Sequence, residues 1–235
     1  MKKLIIIPAY NEESNIPNVI KDILEYAKEC DYIIINDAST DNTEKICKDN
    51  KFNYITLPQN LGIGGAVQTG YIYAKHNNYD IAIQFDGDGQ HNAKDINLLV
   101  EQIENGADIC IGSRYIYKEG FQSTYLRRVG KNIISFVIKC LCNKKITDPT
   151  SGFRACNKKI INMFANNYPD EYPEPETIVR IIINKYLLIE VPTIMNQRKG
   201  GKSSITPIKS LKYMLKVIIS IFFARLEGKE KNKCY

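Results

Sequence analysis

The sequence lacks the features that mark several common classes of protein. It has no apolar run of the roughly 18–20 residues that a membrane-spanning helix needs. Its seven cysteines are an odd, scattered set, which predicts neither a disulfide framework nor a zinc site. Residues 1–7 hold two lysines and then only four apolar residues before Pro8, too few for a signal peptide. We therefore expect a cytoplasmic protein with reduced thiols.

The charge balance points to anionic partners. The 235 residues include 32 Lys and Arg against 26 Asp and Glu, a net charge of +6. This excess suits phosphate-bearing ligands but is too small to predict nucleic-acid binding, so we expect no nucleic-acid partner. The 44% hydrophobic content excludes a disordered chain.

Short apolar runs alternate with helical patterns over residues 1–112. Strands are predicted at 4–7, 32–35, 54–57, 81–85 and 108–111, and helices at 16–27 (capped by Ser14), 41–49, 65–76 and 92–105. Such alternation predicts an α/β fold with a Rossmann-like, mostly parallel sheet flanked by helices, and with ligands at the carboxyl ends of the strands.

The second half of the chain is less regular. Helices are predicted at 125–142, 176–184 and 208–226, a turn-rich stretch at 147–152, a strand at 187–191 and a basic loop at 198–204. We expect one domain over 1–206, with a nucleotide-binding half (1–112) and an acceptor half (113–206). An amphipathic helix and tail would follow over 207–235.

An acidic motif follows the fourth predicted strand. Asp86, Asp88 and Gln90 stand at alternate positions, so their side chains point the same way if the segment is extended. Carboxylate and amide oxygens suit Mg²⁺ or Mn²⁺ shared with a diphosphate. An EF-hand is excluded because His91 and Asn97 occupy its obligatory Gly and Glu positions. A solvated Asp-Gly turn is the alternative.

Polar groups also follow the first three strands. Asp37 can accept a hydrogen bond from a base or ribose, or it can cap a helix. The glycine-rich segment 60–66 can cradle phosphate at a helix start. A dinucleotide fingerprint would need glycine in place of Val67 and would follow the first strand, so NAD is not expected.

Together these motifs resemble glycosyltransferase family 2 enzymes of the GT-A fold, in the branch of the dolichol-phosphate mannosyltransferases. The resemblance rests on segments 7–12, 36–41, 60–62, 86–90, 112–114 and 148–154. It implies a nucleotide-sugar donor, UDP-linked or GDP-linked with UDP preferred, a divalent metal, Mg²⁺ or Mn²⁺, and inversion at the anomeric carbon.

The resemblance and the motifs give a set of candidate site residues. The metal ligands are Asp86, Asp88 and Gln90. The donor-binding residues are Pro8, Ala9, Tyr10, Glu12, Asp37, Ser39, Gly62, Gly64, Gly65, Asp86, Gly87, Asp88, Arg114, Arg154 and Arg198.

Three acidic residues are candidates for a general base toward an acceptor hydroxyl. Glu174 and Glu176 occupy a place similar to the acidic motif of related inverting enzymes, and Asp148 is the second choice. A glutamate at a helix start is also favoured by the helix dipole without any catalytic role. A phosphate acceptor would need no strong base, since it is already an anion.

Two helices bear on the acceptor. Arg127, Arg128, Lys131 and Lys139 lie largely on one face of helix 125–142, where they either bind phosphate or are simply solvated. Helix 208–226 has lysines 209, 212 and 216 on one face and apolar residues on the rest, so it either lies at a lipid surface or packs on its own domain. Peripheral contact with the inner face of the membrane is therefore one of two alternatives for this helix.

The predicted function is sugar transfer from a nucleotide-sugar to a polyprenyl-phosphate, lipid-linked or glycan acceptor in cell-envelope polysaccharide synthesis. Two alternatives stay open on the sequence. One is a sugar-1-phosphate nucleotidyltransferase, although its basic glycine-rich loop would follow the first strand. The other is a non-catalytic module that binds nucleotide-sugars.

Overall fold

A seven-stranded sheet forms the centre of the molecule. The structure is a computed structural model that describes residues 1–121, 124–171, 173–197 and 207–231, and the side chains of 214–226 within the last range. The strands are β1 Lys3–Ala9, β2 Asp31–Asn36, β3 Tyr54–Thr56, β4 Ile81–Gln84, β5 Ile109–Ser113, β6 Arg154–Asn157 and β7 Leu188–Pro192. The helices are α1 Ile16–Tyr26, α2 Thr43–Asp49, α3 Gly62–His76, α4 Ile96–Glu104, α5 Tyr125–Cys142, α6 Lys158–Asn166, α7 Pro173–Ile183 and α8 Pro207–Lys231.

The strand order is β3-β2-β1-β4-β6-β5-β7. All pairings are parallel except those of β6, which runs antiparallel to both β4 and β5. The predicted mostly parallel α/β sheet is therefore confirmed. The two proposed halves share this one sheet, because β6 joins β4 of the first half to β5.

The central strands are apolar on both sides because helices cover both faces of the sheet. In β1, Leu4 and Ile6 face one core cluster with α3, α5, α6, α7 and α8. Ile5 and Ile7 face the other cluster, with α1 and α4. This alternation follows from the two-residue period of a strand, and it explains why the strand reads as a continuous apolar run.

Several local predictions differ from the structure. The pair β6 and α6 was not predicted. Helix α3 begins at Gly62 rather than at residue 65, so the glycine-rich segment is part of the helix. Helix α1 is preceded by Asn15 rather than by Ser14, and Asn15 makes no side-chain capping bond. Helix α4 is shorter than predicted, since a 3-10 turn at Ala93–Asp95 precedes it.

Helix α8 packs against α5 and α7. Within the described part of the chain, no helix combines the length and apolarity that crossing a bilayer requires.

Candidate active site

The ends of β1, β2 and β4 are joined by backbone hydrogen bonds just beyond the strands. Asp37 N donates to Ala9 O at 2.9 Å, and Gly87 N donates to Pro8 O at 3.3 Å. A Cβ on Gly87 would lie 2.9 Å from the same Pro8 oxygen, so this approach requires glycine. The predicted clustering of the strand ends at one edge is thus present in the structure.

Asp37 holds the start of α3. The residue is 3% exposed, and its carboxylate accepts from Leu61 N at 2.7 Å and from Gly62 N at 2.9 Å. The capping alternative therefore applies, but to α3 rather than to the helix that follows Asp37 in sequence. Contact of Asp37 with a nucleotide base stays a prediction.

The loops after β1 and β2 are tied to each other. Asn11 N donates to Ser39 Oγ at 3.0 Å, and Glu12 N donates to Thr43 Oγ1 at 2.9 Å. Glu12 is buried, and its carboxylate accepts from Asn15 Nδ2 at 2.6 Å. Tyr10 is 47% exposed at this edge. Tyr10 therefore has surface available to a ligand, whereas Glu12 does not.

The three glycines predicted to bind the donor differ in their surroundings. A Cβ on Gly64 would collide with the backbone oxygens of Pro169 and Asp170, so this glycine serves the packing of α3. A Cβ on Gly65 would lie 2.5 Å from Leu61 Cβ. Gly62 has a φ of +76° and nothing within 4 Å of that position. Space for a ligand therefore lies at Gly62, and the structure gives no support for donor contact by Gly64.

Asp86 is held in place by a histidine that the sequence analysis did not assign to the site. Asp86 Oδ2 lies 3.0 Å from Nε2 of His91, which is only 8% exposed. The His91 ring stacks on Phe153 at 4.9 Å between centroids. Burial alone would raise the pKa of the Asp86 carboxyl, but the hydrogen bond and charge of His91, helped by the hydrogen bond of Gln84 and the charge of Arg114, lower the pKa overall. Asp86 is thus kept ionised.

Asp88 and Gln90 lie on the turn that follows. Asp88 Oδ1 accepts from Gln90 N at 3.0 Å. The Gln90 amide nitrogen donates to Asn196 O at 3.3 Å, and Asn196 N donates to Gln90 O at 2.8 Å. Gln90 thereby links the acidic turn to the segment after β7. Its role as a metal ligand stays a prediction.

The carboxylates of Asp86 and Asp88 are suitable ligands for a hard divalent cation. Among the described residues, no three His, Cys, Asp or Glu side chains are grouped as a complete protein cage for a metal. Asp86 and Asp88 supply carboxylates on one short turn, and Mg²⁺ is usually bound by one or two carboxylates together with substrate phosphates. A cation shared with a diphosphate therefore suits this turn better than a resident structural ion would.

Arg114 and Asp148 form a buried bidentate ion pair. Arg114 Nε and Nη2 lie 2.6 Å and 2.7 Å from the two Asp148 oxygens. Asp148 is fully buried, and its carboxylate also accepts from Arg114 N and Thr150 Oγ1. With both oxygens engaged, the structure argues against Asp148 as a general base. It instead orients the Arg114 guanidinium.

Arg154 does not reach the surface. It is fully buried, Nε donates to Ser151 O at 2.9 Å, and Nη1 donates to Thr177 Oγ1 at 2.7 Å. Its Nη2 has no hydrogen-bond partner among the described residues. Direct contact with a diphosphate, predicted for Arg154, therefore has no support in this arrangement. Arg198 and the loop 198–204 lie outside the described residues.

The two candidate glutamates on α7 have different environments. Burial raises the pKa of the Glu174 carboxyl, and the charge of Arg154 opposes that rise. Glu176 pairs with Arg180 at 2.7 Å, one helical turn along. A carboxyl with a raised pKa suits proton transfer better than one held in an ion pair. The environment of Glu174 is therefore the more suitable for proton transfer, and its role as a general base stays a prediction.

A basic groove opens beside the Arg114–Asp148 pair. Its volume is about 540 Å³, and it lies between α5 and the segment before Asp148. Lys131 Nζ lies 4.2 Å over the Tyr115 ring, next to Arg114. Burial lowers the pKa of Lys131, and the Asp148 carboxylate opposes this. The lining residues are Tyr115, Lys118, Arg128, Lys131, Asn132, Ser135, Phe136, Lys139, Lys145, Ile146 and Thr147. The groove thus provides five cationic side chains.

Comparison with known proteins places the chain in a protein family. The family described as glycosyl transferase family 2 matches residues 4–164. The chain belongs to this family. The resemblance seen in the sequence is thereby confirmed, and so is the predicted enzyme class, a glycosyltransferase.

Two relatives of this family 2 glycosyltransferase have names that refer to a lipid phosphate. UDP-N-acetylglucosamine–dolichyl-phosphate N-acetylglucosaminyltransferase of Methanococcus voltae is 34% identical over 80% of this chain and 83% of its own length. Polyprenol monophosphomannose synthase of Mycolicibacterium smegmatis is 24% identical over 92% of this chain and 85% of its own.

A solved structure shows the same fold. Glucosyl-3-phosphoglycerate synthase of Mycobacterium tuberculosis, crystallised with Mn²⁺, UDP and phosphoglyceric acid, superposes with a TM-score of 0.73. It is 16% identical, and the match covers 95% of this chain and 78% of that one. The predicted GT-A fold is therefore confirmed for this glycosyltransferase.

Proposed function

We propose that this family 2 glycosyltransferase moves a sugar from a UDP-linked donor to a polyprenyl phosphate. The observation that carries the proposal is the continuous placement of three charged features. The charge of Arg114 acts on Asp86, and the charge of Asp148 acts on Lys131 of the groove. The buried Arg114–Asp148 pair is therefore a neighbour of both the acidic turn and the basic groove. The named activities of the relatives support the lipid-phosphate acceptor.

The acidic turn and the edge around Gly62 are the proposed donor side. When bound, Mg²⁺ or Mn²⁺ would neutralise charge on the leaving diphosphate. Asp86 and Asp88 would hold that ion, and His91 holds the Asp86 carboxylate in one orientation. Asp37 accepts from Leu61 N and Gly62 N and thereby fixes the start of α3 at this edge. A UDP donor is favoured because UDP is named in one relative and bound in the solved structure.

The basic groove is the proposed acceptor side. Arg128, Lys131 and Lys139 can bind a phosphate monoester and orient its oxygen toward the sugar. Such an oxygen is already a nucleophilic anion, so transfer to it requires no general base. The acceleration would come from positioning and charge stabilisation, with inversion at the anomeric carbon. Glu174 would be needed as a base only for a hydroxyl acceptor.

The test is transfer from UDP-sugars to a short-chain polyprenyl phosphate, followed by UDP release and by mass spectrometry of the lipid. We expect glycosyl lipid and UDP to form in equal amounts in the presence of Mn²⁺ or Mg²⁺. Asp88→Ala should lower the rate by about a hundredfold or more, because charge stabilisation at the leaving group is lost.

Asp49→Asn, at an exposed carboxylate near the end of α2, is the matched control and should leave the rate unchanged. Formation of pyrophosphate from UTP and a sugar 1-phosphate, without UDP release from any UDP-sugar, would contradict the proposal, because pyrophosphate is the leaving group of nucleotidyl transfer. Full activity of Asp88→Ala would contradict the assignment of the acidic turn.

A further inference from the structure

Helix α5 turns a stripe of large apolar side chains to solvent. The exposed fractions are 71% for Tyr125, 67% for Leu126, 39% for Val129, 42% for Ile133 and 67% for Phe136. Leu126, Val129, Ile133 and Phe136 recur every three or four residues, and Tyr125 lies four residues before Val129, so all five share one face of the helix. The opposite face holds Gly130, Ile134 and Ile138, which are buried in the domain. Packing within the described part of the chain thus does not account for the stripe.

The basic groove runs along one side of this stripe. Arg128, Lys131 and Lys139 of α5 line it together with Lys118 and Lys145. Phe136 belongs to both features, because it is exposed and also lines the groove. No acidic side chain is among the described residues that line the groove. An apolar stripe bordered by cations is the pattern of a helix that lies in an anionic bilayer surface.

Helix α8 is tied to the domain and lies beside α5. A Cβ on Gly130 would lie 2.9 Å from Met214 Sδ, so the two helices approach closely. Arg225 Nε donates to Leu141 O at 3.0 Å, and Lys216 pairs with Glu171 at 2.7 Å. Leu215, Ile219, Phe222 and Leu226 nevertheless remain 41–58% exposed, at four-, three- and four-residue spacings. The neighbouring helix therefore carries an apolar stripe of its own.

We infer that the exposed face of α5 docks on the surface of an anionic lipid bilayer. This inference rests on the proposed function, because docking in this orientation brings the basic groove to the level of the lipid phosphates. The apolar stripe would enter the headgroup region and the cations beside it would meet acidic lipids. Helix 208–226 was expected either to lie at a lipid surface or to pack on its own domain, and α8 does pack on α5 and α7. The basic groove is lined by residues of α5, which is therefore the proposed docking helix.

Flotation of the full chain with vesicles tests this inference. We expect binding to vesicles of phosphatidylcholine with 30% phosphatidylglycerol, weaker binding at high salt, and much weaker binding to pure phosphatidylcholine. Leu126→Ser/Ile133→Ser should lower the partition coefficient by about tenfold or more, since two large apolar groups no longer enter the interface. Neither residue belongs to the groove lining.

Leu24→Ser is the matched control. Leu24 is 55% exposed on α1, a helix that covers the opposite face of the sheet, so its replacement should not change vesicle binding. Light scattering would show whether the α5 face instead forms a dimer. Absence of vesicle binding by the wild type, equal binding by Leu126→Ser/Ile133→Ser, or a dimer broken by that variant would overturn the inference.

The result of the vesicle-binding test can be distinguished from the result of the test of the proposed function. With a water-soluble acceptor of one or two isoprene units, Leu126→Ser/Ile133→Ser should release UDP at the wild-type rate. Loss of vesicle binding with intact transfer supports the docking face. Failure of transfer in the wild type, with vesicle binding retained, contradicts the proposed function and leaves the docking face supported.

Discussion

At the residue scale, the ion pair between Arg114 and Asp148 is the most strongly buried charge interaction near the candidate site. The Asp148 carboxylate is fully buried, and the Arg114 side chain is 14% exposed. A buried ion stays favourable only while its partner and hydrogen bonds are in place. The pair therefore connects stability directly with the position of a cationic group beside the groove.

Asp148→Asn tests this connection. The variant leaves the Arg114 guanidinium buried without a counter-charge, so we expect the free energy of unfolding to fall by about 3–5 kcal/mol. Urea denaturation followed by circular dichroism measures the change.

Glu171→Gln serves as the matched control for Asp148→Asn. Glu171 and its partner Lys216 have side chains that are 61% and 58% exposed, and exposed pairs contribute only about 0–1 kcal/mol. Equal effects of the two substitutions would contradict the account of the buried pair.

The sequence was informative about which residues converge and less so about what each side chain contacts. Asp37, Asp86 and Asp88 could be placed at one edge because parallel strands end together. The burial of Arg154 could not be foreseen, because its partner Thr177 is 23 positions away. The signal for His91 was its position directly after Gln90, yet only the tertiary structure brings it to Asp86.

At the element scale, the start of α3 depends on close packing. Gly64 lies against the backbone of residues 169 and 170, just before α7 and its Glu174. Glycine is needed there because any larger residue must separate the helix from that segment. The glycine-rich segment thus has a packing role that a phosphate-binding interpretation alone does not include.

Gly64→Ala tests this packing role. Overpacking of a tight interface costs typically about 1–3 kcal/mol, so we expect a loss of that size in the free energy of unfolding. Thermal and urea denaturation give the measurement.

Ile72→Ala, at a residue 40% exposed on the same helix, is the control for Gly64→Ala and should lower stability by less. A neutral or stabilising effect of Gly64→Ala would contradict this packing role, because the backbone of residues 169 and 170 could then move aside at little cost in free energy.

The element pair that prediction missed shows where sequence patterns are weak. Strand β6 has four residues and begins with a buried arginine, so it lacks an apolar run. Helix α6 had a usable signal, since the Asn157 side chain accepts from Lys159 N and Ile160 N as an N-cap. The antiparallel position of β6 between β4 and β5 depends on tertiary contacts, which local sequence patterns do not encode.

At the scale of the whole molecule, the sheet places donor and acceptor features side by side. β6 links β4, which leads to the acidic turn, with β5, which leads to Arg114. The basic groove and the exposed face of α5 continue from there. The fold thereby connects a nucleotide-binding edge with a surface suited to lipid phosphates.

The most direct test of the central claim is calorimetric titration of UDP into the protein with and without Mn²⁺. If a cation bridges Asp86 and Asp88 to the diphosphate, Mn²⁺ should tighten UDP binding by about tenfold or more, and Asp88→Ala should abolish that gain. Equal UDP affinity in Mn²⁺ and in EDTA, unchanged in Asp88→Ala, would contradict the account.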